Sequence, residues 1–582
     1  MSEEDLDPYA IDDSEDDFRP SDYSSESSDE EQPIQKKVKL NKTLSNRIST
    51  STSSHVDEVI ENVVSQANDE SSEDQNNEED SPTETQFTWT AVTGKHLKSF
   101  DFNAVETGIS PEVAVTLANK KPYDFYKFFL SDEIIEFIVS ETNKYAQQTI
   151  ENENRTQHSR LNKWKPITPD ELEVFLGMII WMGLDRKPRL ADYWSKNILY
   201  ASEVSHFMSR NRFELILRMW HFSDNNQCPQ GDRLFKIQPL IDRLLEKFQA
   251  ANTPNKEVCI DETLVPFRGR LSFKQYIKNR RHKFGIKLYK LCTENGYTFN
   301  LKVYCGKDVT ELGVPASSSV VMTLMRNVLD SGRILYTDNF YTSVYLAHQL
   351  QNRSTHLVGT LRSNRKMNPI DVVKAKLKKN EVIARESNTG VVVLKWKDKR
   401  DVLMLSTVHT DDIVEVQAEN KKTVQKPKAV VDYNNCKAFI DLSDQMKSYS
   451  SALRRGVKWN RKLAVELITG AALTNSHILY KAITQDKIQI TKFKEELAKN
   501  LLQKGIPQEK EEEEIVDQQA KKCGLIKTEA RRRCTVCYET LRNKNGREYA
   551  MKKCKQTPYK CDGCGSFFCV ECFYIKHKSI KI

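Results

Sequence analysis

Long apolar runs are scarce in this chain, and their scarcity argues against a membrane-spanning helix. The longest, Val174–Leu184, falls short of the roughly 20 apolar residues that cross a bilayer. It reads instead as a buried helix, introduced by a capping box in which Thr168 caps, Pro169 takes the first helical position and Glu171 reaches back. Basic and long apolar stretches are also missing from the opening MSEEDLDPYA, so a secretory leader is not expected. A soluble intracellular protein with no membrane partner follows, one whose 13 cysteines are reduced thiols or metal ligands. Apolar residues are sparse again across residues 1–95, where Ser, Asp, Glu and Asn dominate. Such a segment cannot bury enough surface to offset the entropy of ordering it, and it is read as a disordered acidic tail.

What the chain has in quantity is charge, unevenly placed. The formal net charge is +7, yet residues 1–85 hold 25 Asp and Glu against 6 Lys and Arg. The remainder carries 82 basic and 56 acidic residues, a balance of +26. A body so basic suits a polyanionic partner, whose counterions are released as Lys and Arg neutralise phosphates. The length allows roughly three to five domains. Within the tail, Ser27 and Ser28 precede Asp29, Glu30 and Glu31, a context that acid-directed kinases favour. Lys36, Lys37 and Lys39 form KKVK, a cluster that resembles a nuclear import signal and predicts a nuclear protein.

Three aspartates sit inside specific local phrases: Asp261 in VCIDETLVPFRGR, Asp338 in RILYTDNFYTS and Asp441 in DYNNCKAFIDLSDQ. Val258–Ile260 and Ile334–Tyr336 are short β-branched and aromatic runs, as buried strands are, and each ends in an Asp followed by a polar turn residue. Asp441 and Asp444, three positions apart, point from one face of a helix start. A lone Asp more often caps a helix or makes a turn. Acids at the ends of such runs can instead hold hard divalent cations with oxygen ligands, and three can hold two ions.

The phrases DETLVPFRGR, QYIKNRRHKFGIKLYKLC, GYTFNLKVYCGKD, LYTDNFYTS, VGTLRSNRK, LKWKDKRDVLMLSTVH and DLSDQMKSYSS, in that order, resemble the core of the piggyBac family of DNA transposases. The resemblance runs from about Trp164 to about Lys481 and resumes in the last fifty residues. It implies an RNase H-like α/β catalytic core whose acidic triad is Asp261, Asp338 and Asp441, with Asp444 as an additional ligand for magnesium or manganese. Departures are confined to single positions. Where the family commonly has two glycines before the third Asp, this chain has Ala438 and Phe439, and where it commonly has Gly after NRK, it has Met367. Glycine at such places marks a close backbone approach or a positive φ.

The expected architecture is multidomain α/β. After the tail comes a helical region, 96–255, which by resemblance is a dimerisation and DNA-binding domain. Strands at 258–265, 284–293, 298–305, 334–338 and 356–361, with helices near 317–331 and 343–352, make 256–362 the first part of the catalytic core. VVVLKWKD and RDVLMLSTVH mark 363–430 as a β-rich insertion domain. Residues 431–485 return to helix and carry the third Asp, 486–530 are a linker, and 531–582 are a cysteine-rich domain. Two basic patches interleave with aromatics in the manner of nucleic-acid grooves. One contains Tyr276, Lys278, Arg280, Arg281, His282 and Lys283; the other contains Arg454, Arg455, Lys458, Trp459, Arg461 and Lys462.

The last segment orders Cys534, Cys537, Cys554, Cys561, Cys564, Cys569, Cys572 and His577. Eight soft ligands make two tetrahedral structural Zn2+ sites, and a piece this short needs them to fold. From the order alone the sharing of ligands between the ions stays open; the family implies an interleaved cross-brace that reads terminal inverted repeats in double-stranded DNA. The acids predict two Mg2+ or Mn2+ ions acting in phosphodiester cleavage and strand transfer. Nicking, hairpin formation and joining to TTAA target DNA by a homodimer are what the resemblance implies. The rival expectation is a domesticated piggyBac-derived chromatin protein that binds DNA without cutting it.

Overall fold

The computed structural model describes residues 88–104, 107–152, 157–278, 282–306, 314–417, 423–454, 456, 458–505 and 524–577, the last residue by its backbone alone. Arg280, Arg281 and Arg455, the side chain of His577, the tail phosphorylation context and the KKVK cluster lie outside the described residues.

Aromatic residues spaced to one side of successive helices build the N-terminal half. Helices Pro122–Phe129, Pro169–Leu184, Arg210–Met219 and Gln238–Ala251 bury Phe125, Phe129, Phe175, Phe213 and Phe248 in one core, with Trp220 at the end of the third. Their rings meet edge to face, Phe129 on Phe248 at 5.4 Å and Trp220 on Phe222 at 5.0 Å, the geometry their quadrupoles prefer. Thr168 does cap the 169–184 helix, its hydroxyl accepting from Glu171 N at 3.2 Å. The reciprocal half of the predicted box is absent, because Arg212 takes the Glu171 carboxylate through two 2.6 Å bonds. A bidentate charged pair outweighs a single backbone contact.

Two predicted boundaries move. Residues 490–503 are no linker: helix Ile490–Gln503 buries Phe493, Leu497, Leu501 and Leu502. It packs so closely on the 169–184 helix that a Cβ on Gly177 would fall 2.9 Å from that of Leu501. The tail ends sooner than residue 95, since β1 (Trp89–Thr90) pairs with Ser387 and Glu386 at a sheet edge. The buried Glu386 carboxylate fastens the next turn, accepting from Thr93 N at 2.7 Å, Gly94 N at 2.8 Å and His96 N at 2.8 Å.

β2 (Gly108–Ile109) and β3 (Asn252–Thr253) pair briefly before the chain enters the main sheet. There β4 (Glu257–Pro266), β5 (Gln275–Tyr276), β6 (Phe284–Cys292) and β7 (Thr298–Val303) form an antiparallel set centred on β6. β8 (Ile334–Thr337) and β9 (His356–Thr360) are parallel to β4, reached through helices Ala316–Met325 and Val344–Gln351. β10 (Val382–Ser387), β11 (Val392–Lys397) and β12 (Asp401–Ser406) then add antiparallel to β9, giving the order β1-β10-β11-β12-β9-β8-β4-β6-β5 with β7 on β6. The expected insertion domain is therefore an extension of the same sheet as far as Ser406; only the hairpin β13 (Ile413–Gln417) and β14 (Thr423–Pro427) stands apart from it. β15 (Leu525–Arg533) and β16 (Gln556–Cys561) frame the cysteine-rich segment.

Alternation along the strands sorts their side chains onto two faces. Val258, Ile260, Leu335 and Leu357 join the large core shared with the helices. Cys259, Tyr336 and Val358 face the other way, onto the long helix Lys428–Ser448 through Ala429, Val430, Cys436 and Ile440.

Candidate active site and zinc cluster

Register brings the first two aspartates together. β4 and β8 run parallel with Cys259 opposite Tyr336 and Ile260 opposite Thr337, so the next residues, Asp261 and Asp338, emerge side by side. Neighbouring strands lie about 4.8 Å apart. Carboxylate oxygens of Asp261, Glu262 and Asp338 all fall within 4.8 Å of one another. Glu262 arrives from the opposite face of β4, where β8 has stopped at Thr337 and left that flank open. Tyr341 donates to Glu262 Oε2 at 3.2 Å, and Lys287 Nζ stands 3.6 Å from Oε1. Sequence reasoning missed Glu262 because an adjacent residue in a strand ordinarily turns away; Asp261 and Glu262 lie within β4 and not at its end before a turn, and the adjacent DE pair was the available signal.

Packing these carboxylates together perturbs them. Burial first, then the neighbouring Glu262 and Asp338, pushes Asp261 well above the usual carboxylate range. Asp338 is pushed up to about 7 by burial and by Glu262, against the Phe340 N–H, Arg362 and Lys287, which favour its ionised form. Carboxylates crowded in this way are relieved by a cation, and an all-oxygen donor set fits Mg2+ or Mn2+.

The third aspartate lies on the 428–448 helix, well inside it and not at a helix start. That helix crosses β4 lengthwise. The Lys437 carbonyl meets Cys259 Sγ at 3.8 Å, and Asp444 accepts from Thr263 Oγ1 at 2.8 and 3.0 Å. Seven helical residues rise about 10 Å and four strand residues about 13 Å, so the exposed Asp441, between these anchors, lies along the stretch of β4 that carries Asp261. Its carboxylate is not part of the 4.8 Å group. Asp444 departs from expectation: Lys290 and Lys447 approach it at 3.0 and 2.8 Å. Against the cost of burial, Lys290 and Lys447 hold its carboxyl below the usual range. Ala438 and Phe439 sit in regular helix, where no positive φ is needed, whereas Met367 takes the left-handed φ of +67° that glycine adopts freely.

The basic patches fare differently. Lys278 and Lys283 are exposed beside Tyr276, whose ring lies 4.8 Å from Phe284. Among the described residues of the second patch Lys458 alone is exposed. Arg454 is buried, its guanidinium donating to Lys187 O at 3.0 Å and to the Tyr193 hydroxyl. Arg461 donates to Trp220 O at 3.2 Å, Lys462 is buried on the Arg454 carbonyl, and Trp459 packs on Phe273 at 5.4 Å. Cations there bind loop and helix-end backbone carbonyls, the acceptors that helix termini leave without an intrahelical partner.

Among the cysteines, Cys534, Cys537, Cys569 and Cys572 converge. Sulfur separations are 3.8 Å for Cys534–Cys569, 3.9 Å for Cys537–Cys569 and 3.5 Å for Cys537–Cys572. Burial pushes the Cys537 thiol up to about 12. Four crowded thiols of this kind fit Zn2+, which takes them as thiolates. Cys561 accepts from Cys564 N at 3.4 Å, and Cys554 Sγ lies 3.5 Å from Cys534 O. Among the described residues these three do not complete a second cluster. No helix among the described residues is long and apolar enough to cross a membrane.

Residues 121–477 match the family model described as Transposase IS4. The chain is 26% identical over 481 residues to human piggyBac transposable element-derived protein 3, covering 78% of this chain and 75% of the relative. Against human piggyBac transposable element-derived protein 2 it is 25% identical over 395 residues, covering 65% and 64%. A solved piggyBac transposase synaptic complex with hairpin DNA matches with a TM-score of 0.60 at 25% identity, over 68% of this chain and 82% of that one. The molecule is thus of the transposase class. Within that class the chain belongs to the piggyBac family.

Proposed function

We propose that this protein is a cut-and-paste DNA transposase that binds terminal inverted repeats, cleaves DNA through a hairpin intermediate and joins the freed ends to TTAA target DNA in the nucleus, as a homodimer. The observation that carries the reading is the parallel register that sets Asp261 beside Asp338, with Asp441 on the helix that crosses the same strand. An RNase H-like core is supported by the strand order β7-β6-β4-β8-β9, antiparallel on one side of β4 and parallel on the other. Asp261, Asp338 and Asp441 are the proposed catalytic residues, and Cys534, Cys537, Cys569 and Cys572 hold one structural Zn2+ in a cross-brace. Cys554, Cys561, Cys564 and His577 are left for the second.

Bound Mg2+ or Mn2+ ions supply Lewis acidity for attack on a phosphodiester and for the departing oxygen. The chain's residues do the rest by placement. The carboxylates present oxygens on one side of the strand ends, Tyr341 and Lys287 orient Glu262, and Arg362, with Phe340 under it at 5.8 Å, lends positive potential to an incoming phosphate. In the first cut, water displaces the 3′-oxygen at the transposon end. That hydroxyl then displaces an oxygen on the opposite strand, closing a hairpin. The exposed Lys278, Lys283 and Lys458 are the proposed backbone contacts.

The test mixes purified protein and magnesium with labelled DNA spanning the ends of its own locus and resolves the products on a denaturing gel. Nicks and hairpins are expected from the wild type and none from Asp338→Asn, which should still bind ends. Binding without any cut would instead favour the domesticated DNA-binding reading, to which the human element-derived relatives lend weight.

A further inference from the structure

We infer that the buried ion cluster of Lys290, Asp444, Lys447 and Glu466 is a brace that sets the position of Asp441 along β4, making Asp444 a positioning residue and not a metal ligand. The inference rests on the transposase reading above. Lys290 is 1% exposed and is the direct cross-strand partner of Asp261. Its Nζ reaches past that strand to Asp444 Oδ1 at 3.0 Å and Ser443 Oγ at 3.4 Å, both on the 428–448 helix. Lys447, also buried, joins Asp444 at 2.8 Å to Glu466 at 2.7 Å. Thr263, two residues from Asp261, completes the shell of Asp444. Two cations and two carboxylates thus alternate with hydroxyls at their rim, and the buried Lys462 and Lys494 also lie within the field of Glu466.

The far end of the chain of contacts is a local irregularity. Glu466 opens a π-helical turn, Glu466–Ala472, which interrupts the helical run from Trp459 to Thr484. Such turns are rare and mark places where an extra residue is accommodated for a purpose. Within it a Cβ on Gly470 would stand 3.2 Å from the Glu466 carboxyl carbon and 3.2 Å from Lys447 Cδ, so the turn is shaped around this pair. Burying Lys290, Lys447 and Glu466 with the partly covered Asp444 is costly beside apolar packing of the same volume. What it supplies is direction: an apolar interface tolerates sliding, and a slip of one turn carries Asp441 about 5 Å along β4. Ion pairs with fixed partners on three elements forbid that slip.

The test compares the wild type, Asp261→Asn, Lys290→Met, Lys290→Arg, Asp444→Asn and the Lys290→Met/Asp444→Asn double variant as full chains. Cleavage of labelled end DNA, end binding by mobility shift, Mn2+ affinity by calorimetry and thermal melting are measured on each. A brace predicts that Lys290→Met and Asp444→Asn lose cleavage by the same factor, about tenfold or more, and weaken Mn2+ alike. The double variant should be no worse than either single, as expected for members of one unit, with end binding unchanged and Lys290→Arg largely restored. Weakened Mn2+ binding in Asp444→Asn beside normal binding in Lys290→Met overturns the inference in favour of a ligand role; wild-type values in both overturn it outright. Should Lys290→Met melt below assay temperature, Thr263→Val takes its place with the same expectations. A wild type that does not cut, or an Asp261→Asn that does, refutes the transposase reading on the same gel, and the Mn2+ series still decides the brace.

Discussion

Asp338 carries the clearest residue-level consequence. Its carboxyl is raised to about 7 in the folded protein, so between the ordinary carboxylate range and about pH 7 the folded site keeps a proton that the unfolded chain has lost. This group's contribution to stability is complete at low pH and disappears as pH rises through 7. In magnesium-free buffer the core should melt at a lower temperature at pH 8 than at pH 5.5, and Asp338→Asn should flatten that difference in a calorimetric scan. Because proton and metal compete for the same oxygens, Mn2+ affinity should fall by up to about tenfold per unit below pH 7, read as proton release in calorimetry. Met367 offers a second residue-scale check. An L side chain at φ +67° costs about 1–2 kcal/mol, partly offset by the entropy a glycine forfeits on folding. Met367→Gly should therefore stabilise by roughly 0.5 kcal/mol, measured as a shift in urea midpoint at constant slope.

At the scale of elements, the cysteine-rich segment has little core of its own, and the Zn2+ proposed for its four converging thiols would supply the order. Its apolar cluster consists of Phe568 and Phe573 with cysteines around them, too little to order β15 and β16 without a metal. A zinc chelator should strip protection from amide exchange in Leu525–Arg533 and Gln556–Cys561 while β4, β6 and β8 stay protected, as read by hydrogen exchange and mass spectrometry. Much of this level was legible in the sequence. β-branched runs located β4, β6, β7, β8 and β9 to within a residue or two, and the C-x2-C pairs at 534 and 569 marked the four thiols that converge. What escaped was long-range. No local pattern says that β10–β12 continue the main sheet, since strand runs read the same in an insertion and at a sheet edge. Nor does local pattern show that Glu171 prefers Arg212, or that Asp444 turns to Lys290, more than 150 positions away. The basic patch at 454–462 misled for the same reason: sequence counts cations, and only the fold reveals which face backbone carbonyls.

For the whole molecule, the charge split between residues 1–85 and the remainder bears on the proposed association with DNA. Residues 1–85 hold 25 acids against a remainder that carries +26, and so much negative charge on the same chain lowers the long-range attraction for a polyanion. Removing residues 1–85 should tighten non-specific DNA binding about tenfold at 50 mM salt, with a smaller gain at 200 mM as screening grows, measured by fluorescence anisotropy across a salt series.

The order in which the site's parts occur along the chain has a consequence for how the protein is made. Asp261 can find its neighbour only after β8 has been synthesised, and the helix bearing Asp441 follows roughly a hundred residues later. At 5–20 residues per second that interval is about 5–20 s, during which the growing polypeptide holds an incomplete set of acids. For the proposed transposase, cutting competence would thus be withheld from the nascent chain until the third acid is made, and an early termination product that contains the first two acids would leave the ribosome unarmed.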